Sequence, residues 1–180
     1  MKSSFLSKAE MQSIGFRTIG ENVFISKHAS FYSPELITIG HNVRIDDFCI
    51  LSGRIEIGSY VHISAYVALY GKNGIVISDF AGISAKSIVY SAVDDFSGEF
   101  LVGPMCPQRY THVTGGTVFI KRYAQIGASS VVMPNLEIGE GAAVGAMSFI
   151  NRNLDSWGIY AGIPVRKIKE RSKNILSYNV

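Results

Sequence analysis

The side chains able to do acid–base chemistry in this chain are few and unevenly spread. Of the four histidines, His28 and His41 fall on positions that face solvent and read as structural. His62 differs, because Arg44 stands eighteen residues before it and Asp46 stands eighteen residues before Ser64. Any fold that returns to the same column every eighteen residues stacks these four into one polar cluster. An imidazole held by a carboxylate is a competent base near neutrality; the alternative for the same four groups is an ion-pair network at an interface. Further along come Asp94 and Asp95, then Arg109, Tyr110 and His112. A carboxylate with the ordinary pKa of about 4 is a poor base for a hydroxyl group, yet it can orient an ammonium group and accept its hydrogen bond. His112 would swing over a bound molecule that Arg109 and Tyr110 help to hold.

A repeat must place these groups. From Ile39 an aliphatic residue recurs at every sixth position, through Ile45, Leu51, Ile57, Ile63 and Leu69. Helical apolar spacing is about 3.6 residues and a half-buried strand alternates, so a period of six calls for three flat faces closing one triangular coil. Each sixth residue then points into a thin prism. The predicted fold is all-β, a parallel β-helix of about six coils. Its inward set includes Ile39, Ile45, Leu51, Ile57, Ile63, Ile83, Ile126, Val132, Ile138 and Val144, and Cys49 shares a hexapeptide position with Val43, Val61 and Ala81 as a small buried filler. Two extra residues fall around Leu36–Thr38 and two more within Gly71–Val76. Small residues follow the inward aliphatics at Gly127-Ala128 and Gly145-Ala146, which lets a ligand approach the backbone closely.

From Asp95 to Thr117 the period lapses in a segment rich in glycine, proline and aromatic residues. A long ordered excursion from a regular scaffold is commonly functional. The repeat resumes at Ile120 and runs to Ile150. Ser7 and Glu10 form a capping box for a helix over residues 8–13 ended by Gly15, expected to cover the open end of the prism. After Asp155 a basic tail is predicted to be helical from Val165. One domain results: a capping helix over 1–18, the β-helix over 19–155 with the loop 95–117 inserted after the fourth coil, and a tail over 156–180.

Composition excludes several classes. An apolar content of 47% in 180 residues supports a continuous core, and a net charge of +3 is too small to argue for nucleic acid. No apolar stretch reaches membrane-spanning length, the N-terminus lacks an apolar signal core, and two cysteines fit a reducing compartment. A soluble cytoplasmic protein without membrane insertion is expected.

Taken together, the I-G-x-x-x-x units at Ile39-Gly40 and Ile57-Gly58, the expansion after Leu69, the loop after the fourth coil and Ile159-Tyr160-Ala161-Gly162-Ile163-Pro164 resemble the hexapeptide-repeat acyltransferases, the last segment looking like the YAGxPA signature of sugar and maltose acetyltransferases. The resemblance implies a left-handed coil, a homotrimer with active sites at subunit interfaces, and acetyl-CoA lying in the groove between neighbouring prisms. It implies cofactor contacts from Gly127, Ala128, Gly145, Ala146, Asn151, Arg152, Ile163, Pro164, Arg166 and Lys169, the basic pair suiting phosphates. In galactoside and maltose acetyltransferases the base is a histidine at the place held here by Asp94. That departure leans towards an amino group as acceptor, on a sugar or nucleotide-linked sugar of surface polysaccharide synthesis.

On the same resemblance His62 ends the hexapeptide that faces the base from the neighbouring subunit. His62 and Asp94 are therefore the catalytic candidates, with Arg44, Asp46, Ser64, Asp95, Arg109, Tyr110 and His112 around the acceptor. No metal is expected. A γ-class carbonic anhydrase shares the fold but needs three zinc-binding histidines, and its H-x-x-x-x-H spacing is absent. A non-enzymatic assembly protein would have no use for the small-residue groove or the YAGIP segment.

Overall fold

The computed structural model describes residues 4–178, which form a left-handed parallel β-helix of about seven turns. The last, partial turn is added by Gly158–Ala161, which stacks on Ala143–Val144. Ile45 lies over Ile63, Ile63 over Ile83, and Ile83 over Ile126 across the excursion, so the repeat resumes in register. Every residue of the predicted inward set is buried, as is Cys49. Burying one such aliphatic side chain contributes about 1.5–3 kcal/mol, and the column supplies them coil after coil.

Sharp corners join the faces, and non-glycine residues occupy them in the left-handed region: Tyr60, Phe80 and Tyr123 along one edge, Phe48 and Tyr66 along another. Each costs about 1–2 kcal/mol for an L-residue. Two interactions offset that. The Tyr60 N–H donates to the His41 carbonyl at 2.9 Å and that of Phe80 to Ser59 at 2.9 Å. The rings also stack, Tyr60 on Phe80 at 4.7 Å and Phe80 on Tyr123 at 5.1 Å between centroids.

At the N-terminal end the helix Lys8–Ile14 carries both bonds of the capping box between Ser7 and Glu10, and Gly15 ends it in the left-handed conformation. Met11 is buried with the core, and the Leu6 N–H donates to the Ile25 carbonyl at 2.8 Å, which ties this segment to the first coil. The extra residues between Gly71 and Val76 are absorbed by the strand Ala68–Ile77, in which Gly71 pairs with Gly53 but Ile75 with Ile55.

The C-terminal tail corrects the sequence reading. It is not helical from Val165: Arg166–Glu170 is a strand, antiparallel to Gly158–Ala161, followed by a 3-10 turn over Asn174–Ser177. Lysine, arginine and glutamate are good helix formers, but an isolated short helix is marginal in water. The last coil instead offers a row of unpaired backbone groups, and the tail satisfies them. Arg171 completes the seal, its Nη1 donating to the carbonyls of Tyr123 and Gly141 at 2.9 Å each.

Candidate active site

Two polar clusters stand on different faces of the prism. The first grows from the column that follows the inward aliphatics, where the backbone N–H of each coil donates to the next: Asp46 to Ile63, Ser64 to Ile83, Ser84 to Ile126, Gly127 to Val144. Asp46, Ser64 and Ser84 therefore lie in one line that runs on into Gly127 and Gly145. His62 stacks over Arg44 in the adjacent column. Both reach Asp46: His62 Nε2 lies 2.7 Å from Asp46 Oδ2, and Arg44 Nε donates to Oδ1 at 2.7 Å. Partial burial by itself raises the Asp46 pKa, but the hydrogen bonds from Arg44 and His62 outweigh it and hold the carboxyl below its ordinary value. The dyad inferred from the eighteen-residue spacing is thus formed within one chain, with the His62 ring half-exposed and no hydrogen bond to its Nδ1 among the described residues.

The second cluster belongs to the excursion. Its stem is a short antiparallel ladder in which Ala92–Asp94 pairs with Val113–Gly115. A Cβ at Gly115 would overlap the Ser91 carbonyl, so only glycine lets the ladder close onto the prism. Adjacent aspartates part here. Asp95 turns into the loop, where its Oδ2 lies 3.0 Å from His112 Nδ1 and its Oδ1 accepts from the Ser97 N–H at 2.7 Å. The hydrogen bond with His112, then those with Ser97, pull the Asp95 pKa down to about 2. Phe100 packs on the His112 ring at 4.8 Å, while Arg109 lies over the Tyr110 ring on an outer, exposed part of the loop.

Asp94 instead lines a cleft of about 780 Å³ with Tyr70, Lys72, Tyr90, Cys106 and Gln108. Its carboxylate has no hydrogen-bond or ion-pair partner among the described residues. Nor does any hydrogen bond or ion pair among the described residues join Asp94, Asp95 or His112 to the His62–Asp46 pair.

Of the residues expected at a cofactor, Ala146, Asn151, Arg152, Ile163, Pro164, Arg166 and Lys169 are exposed and Ala128 is half-buried. Gly162 is fixed to the last coil by its N–H to Ser148 Oγ at 3.1 Å, and Val165 is buried beside it, so Ile163 is held outward at 75% exposure next to a 70% exposed Met147. Gly127 has a reason of its own: a Cβ there would meet the Val144 carbonyl at 2.5 Å, so coil stacking requires the glycine whether or not a ligand passes. No group of three or more His, Cys, Asp or Glu among the described residues could hold a metal ion.

Sequence reasoning did not single out Ser84, Tyr70, Tyr90 or Lys72. Ser84 was legible as the next member of the Asp46–Ser64 column once the two-residue expansion was counted. The other three needed the loop folded back over them.

No family model matches the chain. It is 42% identical over 176 residues, 96% of its length and 92% of the relative's, to a dTDP-4-amino-4,6-dideoxy-D-glucose acyltransferase of Escherichia coli. Among solved structures it superposes with a TM-score of 0.95 and 56% identity, over 97% of this chain and 94% of the other, on AntD, an N-acyltransferase from Bacillus cereus in complex with dTDP and 3-hydroxybutyryl-CoA. AntD has also been solved as variants, among them S84C with dTDP-4-amino-4,6-dideoxyglucose and coenzyme A, and D94N with dTDP and coenzyme A. A hexapeptide-repeat acetyltransferase from Vibrio cholerae shares the fold at a TM-score of 0.63 and 18% identity, covering 93% of this chain and 83% of that one.

Proposed function

This chain belongs to the hexapeptide-repeat sugar acyltransferases, and from that premise we propose that it moves an acyl group from acyl-CoA to the 4-amino group of a dTDP-linked 4-amino-4,6-dideoxyhexose. The observation that carries the reading is a near end-to-end likeness to AntD, with which this chain shares a serine numbered 84 and an aspartate numbered 94, the residue types and numbers replaced in the AntD variants. Acetyl-CoA is the donor inferred from the sequence; the AntD complex with 3-hydroxybutyryl-CoA supports acyl-CoA as the wider class.

The chemistry asks little of the protein beyond placement. The amine nitrogen bonds to the thioester carbonyl carbon, the C–S bond breaks, and the proton lost by nitrogen returns to the departing thiolate. Asp94, without a partner among the described residues, accepts the hydrogen bond of the amine and orients it. Ser84 can hydrogen-bond at the head of the small-residue column. The His62–Asp46 pair supplies an imidazole base held by a carboxylate, and a backbone N–H stabilises the oxyanion. Outside the coil, Ala128, Ala146, Ile163 and Pro164 border the pantetheine path, while Arg152, Arg166 and Lys169 meet phosphates.

The two clusters lie on different faces of one prism, which supports a site shared between neighbouring chains of a homotrimer, the His62–Asp46 wall of one facing the Asp94 cleft of the next. A cytoplasmic location suits a consumer of acyl-CoA, and no helix among the described residues is long and apolar enough to cross a membrane. The test is to incubate the protein with acetyl-CoA and dTDP-4-amino-4,6-dideoxyglucose, following free thiol release and the mass of the nucleotide sugar. Thiol release only in the presence of the amino sugar, with a gain of one acetyl mass, is expected; no mass change with any short acyl-CoA would overturn the reading.

A further inference from the structure

We propose that Asp95 and His112 clasp the neck of the excursion and act as a positioning pair for Asp94, so that neither of them meets the acceptor itself. Resting on the role given to Asp94 above, this assigns work to two residues that the reaction has not used. The neck needs a fastening. Its stem pairs only Ala92–Asp94 with Val113–Gly115, the first strand half-buried and the second exposed throughout. A two-stranded ladder of that kind is marginal in water, and this one also closes the loop over residues 96–111, at a cost in chain entropy. The clasp lies one step beyond the Asp94–Val113 pair. There the Asp95 N–H donates to the His112 carbonyl at 2.9 Å, and the side chains of the same two residues meet again at 3.0 Å. The Asp95 carboxylate can only accept, so the imidazole donates from Nδ1. The other Asp95 oxygen accepts the Ser97 N–H at 2.7 Å, and Phe100, from within the loop, packs on the His112 ring at 4.8 Å.

Alternation explains how the clasp reaches Asp94. Successive side chains of an extended chain point to opposite faces. Asp94 lines the cleft and Asp95 does not; on the returning strand Thr111 and Val113 line it, and His112 between them does not. The clasp therefore stands on the back of the two-stranded ribbon whose front carries Asp94. Turning Asp95 and His112 towards each other turns Asp94 towards the cleft, and holding the ribbon closed fixes where its carboxylate stands. Both oxygens of Asp95 already accept hydrogen bonds within the loop, and the carboxylate would have to give these up to meet a substrate. Asp94 has no partner among the described residues, so nothing in its own side-chain bonding holds it in place. Its position is set through the backbone, and the clasp is what secures that backbone at the open end of the stem.

A double-mutant cycle separates a residue that acts through Asp94 from one that touches the acceptor. Steady-state rates are measured with acetyl-CoA and dTDP-4-amino-4,6-dideoxyglucose varied in turn, for the parent, His112→Ala, His112→Asn, Asp94→Asn and the double variant Asp94→Asn with His112→Ala. His112→Ala should lower kcat/KM for the amino sugar about tenfold, the scale of one hydrogen bond to a charged group, and should leave KM for acetyl-CoA unmoved. His112→Asn, whose side-chain amide can donate from the place of Nδ1, should recover most of the loss. With Asp94→Asn already in place, His112→Ala should lower kcat/KM by less than about twofold further. Hydrogen exchange reads the clasp without turnover: the Asp95 amide should exchange at least about fivefold faster in His112→Ala, with the Ile63 amide of the prism at the parent rate. An equal loss from His112→Ala in both backgrounds, no loss in either, or faster exchange at the neck with unchanged kinetics each overturns the positioning role. If the parent acylates the amino sugar and the two losses simply add, the clasp alone is refuted; if the parent does not acylate it, the reaction assignment falls and the positioning role falls with it.

Discussion

Asp94→Asn isolates the charge that the acceptor amine is expected to meet. The substitution keeps the shape of the side chain, and the backbone of residue 94 remains paired with Val113 in the stem ladder. Because the carboxylate has no partner within the described chain, its loss breaks nothing in the fold. At about 3 Å, carboxylate and ammonium attract by about 1.4 kcal/mol at the dielectric of water and about 5.5 kcal/mol at an effective value of 20. Asp94 is half-buried, and a hydrogen bond to a charged group nets about 1.5–3 kcal/mol, so about 2 kcal/mol is the reasoned loss. That is about thirtyfold in kcat/KM. If Asp94 orients the amine, most of the loss falls on KM for the amino sugar, with KM for acyl-CoA unmoved; a comparable fall in kcat would make Asp94 the proton acceptor. Thermal denaturation should show the parent's midpoint to within about 1–2 °C, since surface changes without lost contacts stay near zero. A kcat/KM within about twofold of the parent would refute both the free-carboxylate argument and the placement of the amine.

His62→Ala should lower turnover by about two orders of magnitude or more, the scale of general-base loss, while the half-exposed pair with Asp46 contributes only about 0–1 kcal/mol to stability. Co-expression of His62→Ala with Asp94→Ala should then recover up to about one quarter of parental activity if each site draws the two residues from neighbouring chains; no recovery in isolated mixed trimers argues for sites within single chains. Ala146→Phe, at an exposed position of the last coil, should abolish CoA binding with the prism still folded, and a normal CoA dissociation constant would show that the pantetheine path runs elsewhere. The folded pKa of Asp95 is depressed to about 2 from the ordinary value of about 3.9, so its bonds to His112 and Ser97 are complete above pH about 4 and are lost as pH falls through about 2. A carboxyl NMR titration with its midpoint near the ordinary value would show that the His112 contact is absent in solution.

The period of six was enough to place Ile45, Leu51 and Ile63 inside, to stack His62 over Arg44, and to align Asp46 with Ser64. Those relations depend only on counting along a regular coil, where one turn puts residue i beside residue i+18 or, with the expansion, i+20. The helix at the N-terminus was equally legible, because its start and stop are local capping chemistry. The tail was not. Its lysines and arginines favour a helix in isolation, and the choice of strand came from an open sheet edge that exists only once the last coil has formed. Asp94 and Asp95 make the same point at the candidate site: neighbours of identical type, they acquire different surroundings because the excursion folds back, giving one His112 and Ser97 as partners and leaving the other without a partner among the described residues, beside Tyr70, Tyr90 and Lys72. No spacing rule reaches across an aperiodic loop, so which carboxylate finds a partner among the described residues and which does not is decided by tertiary contact alone.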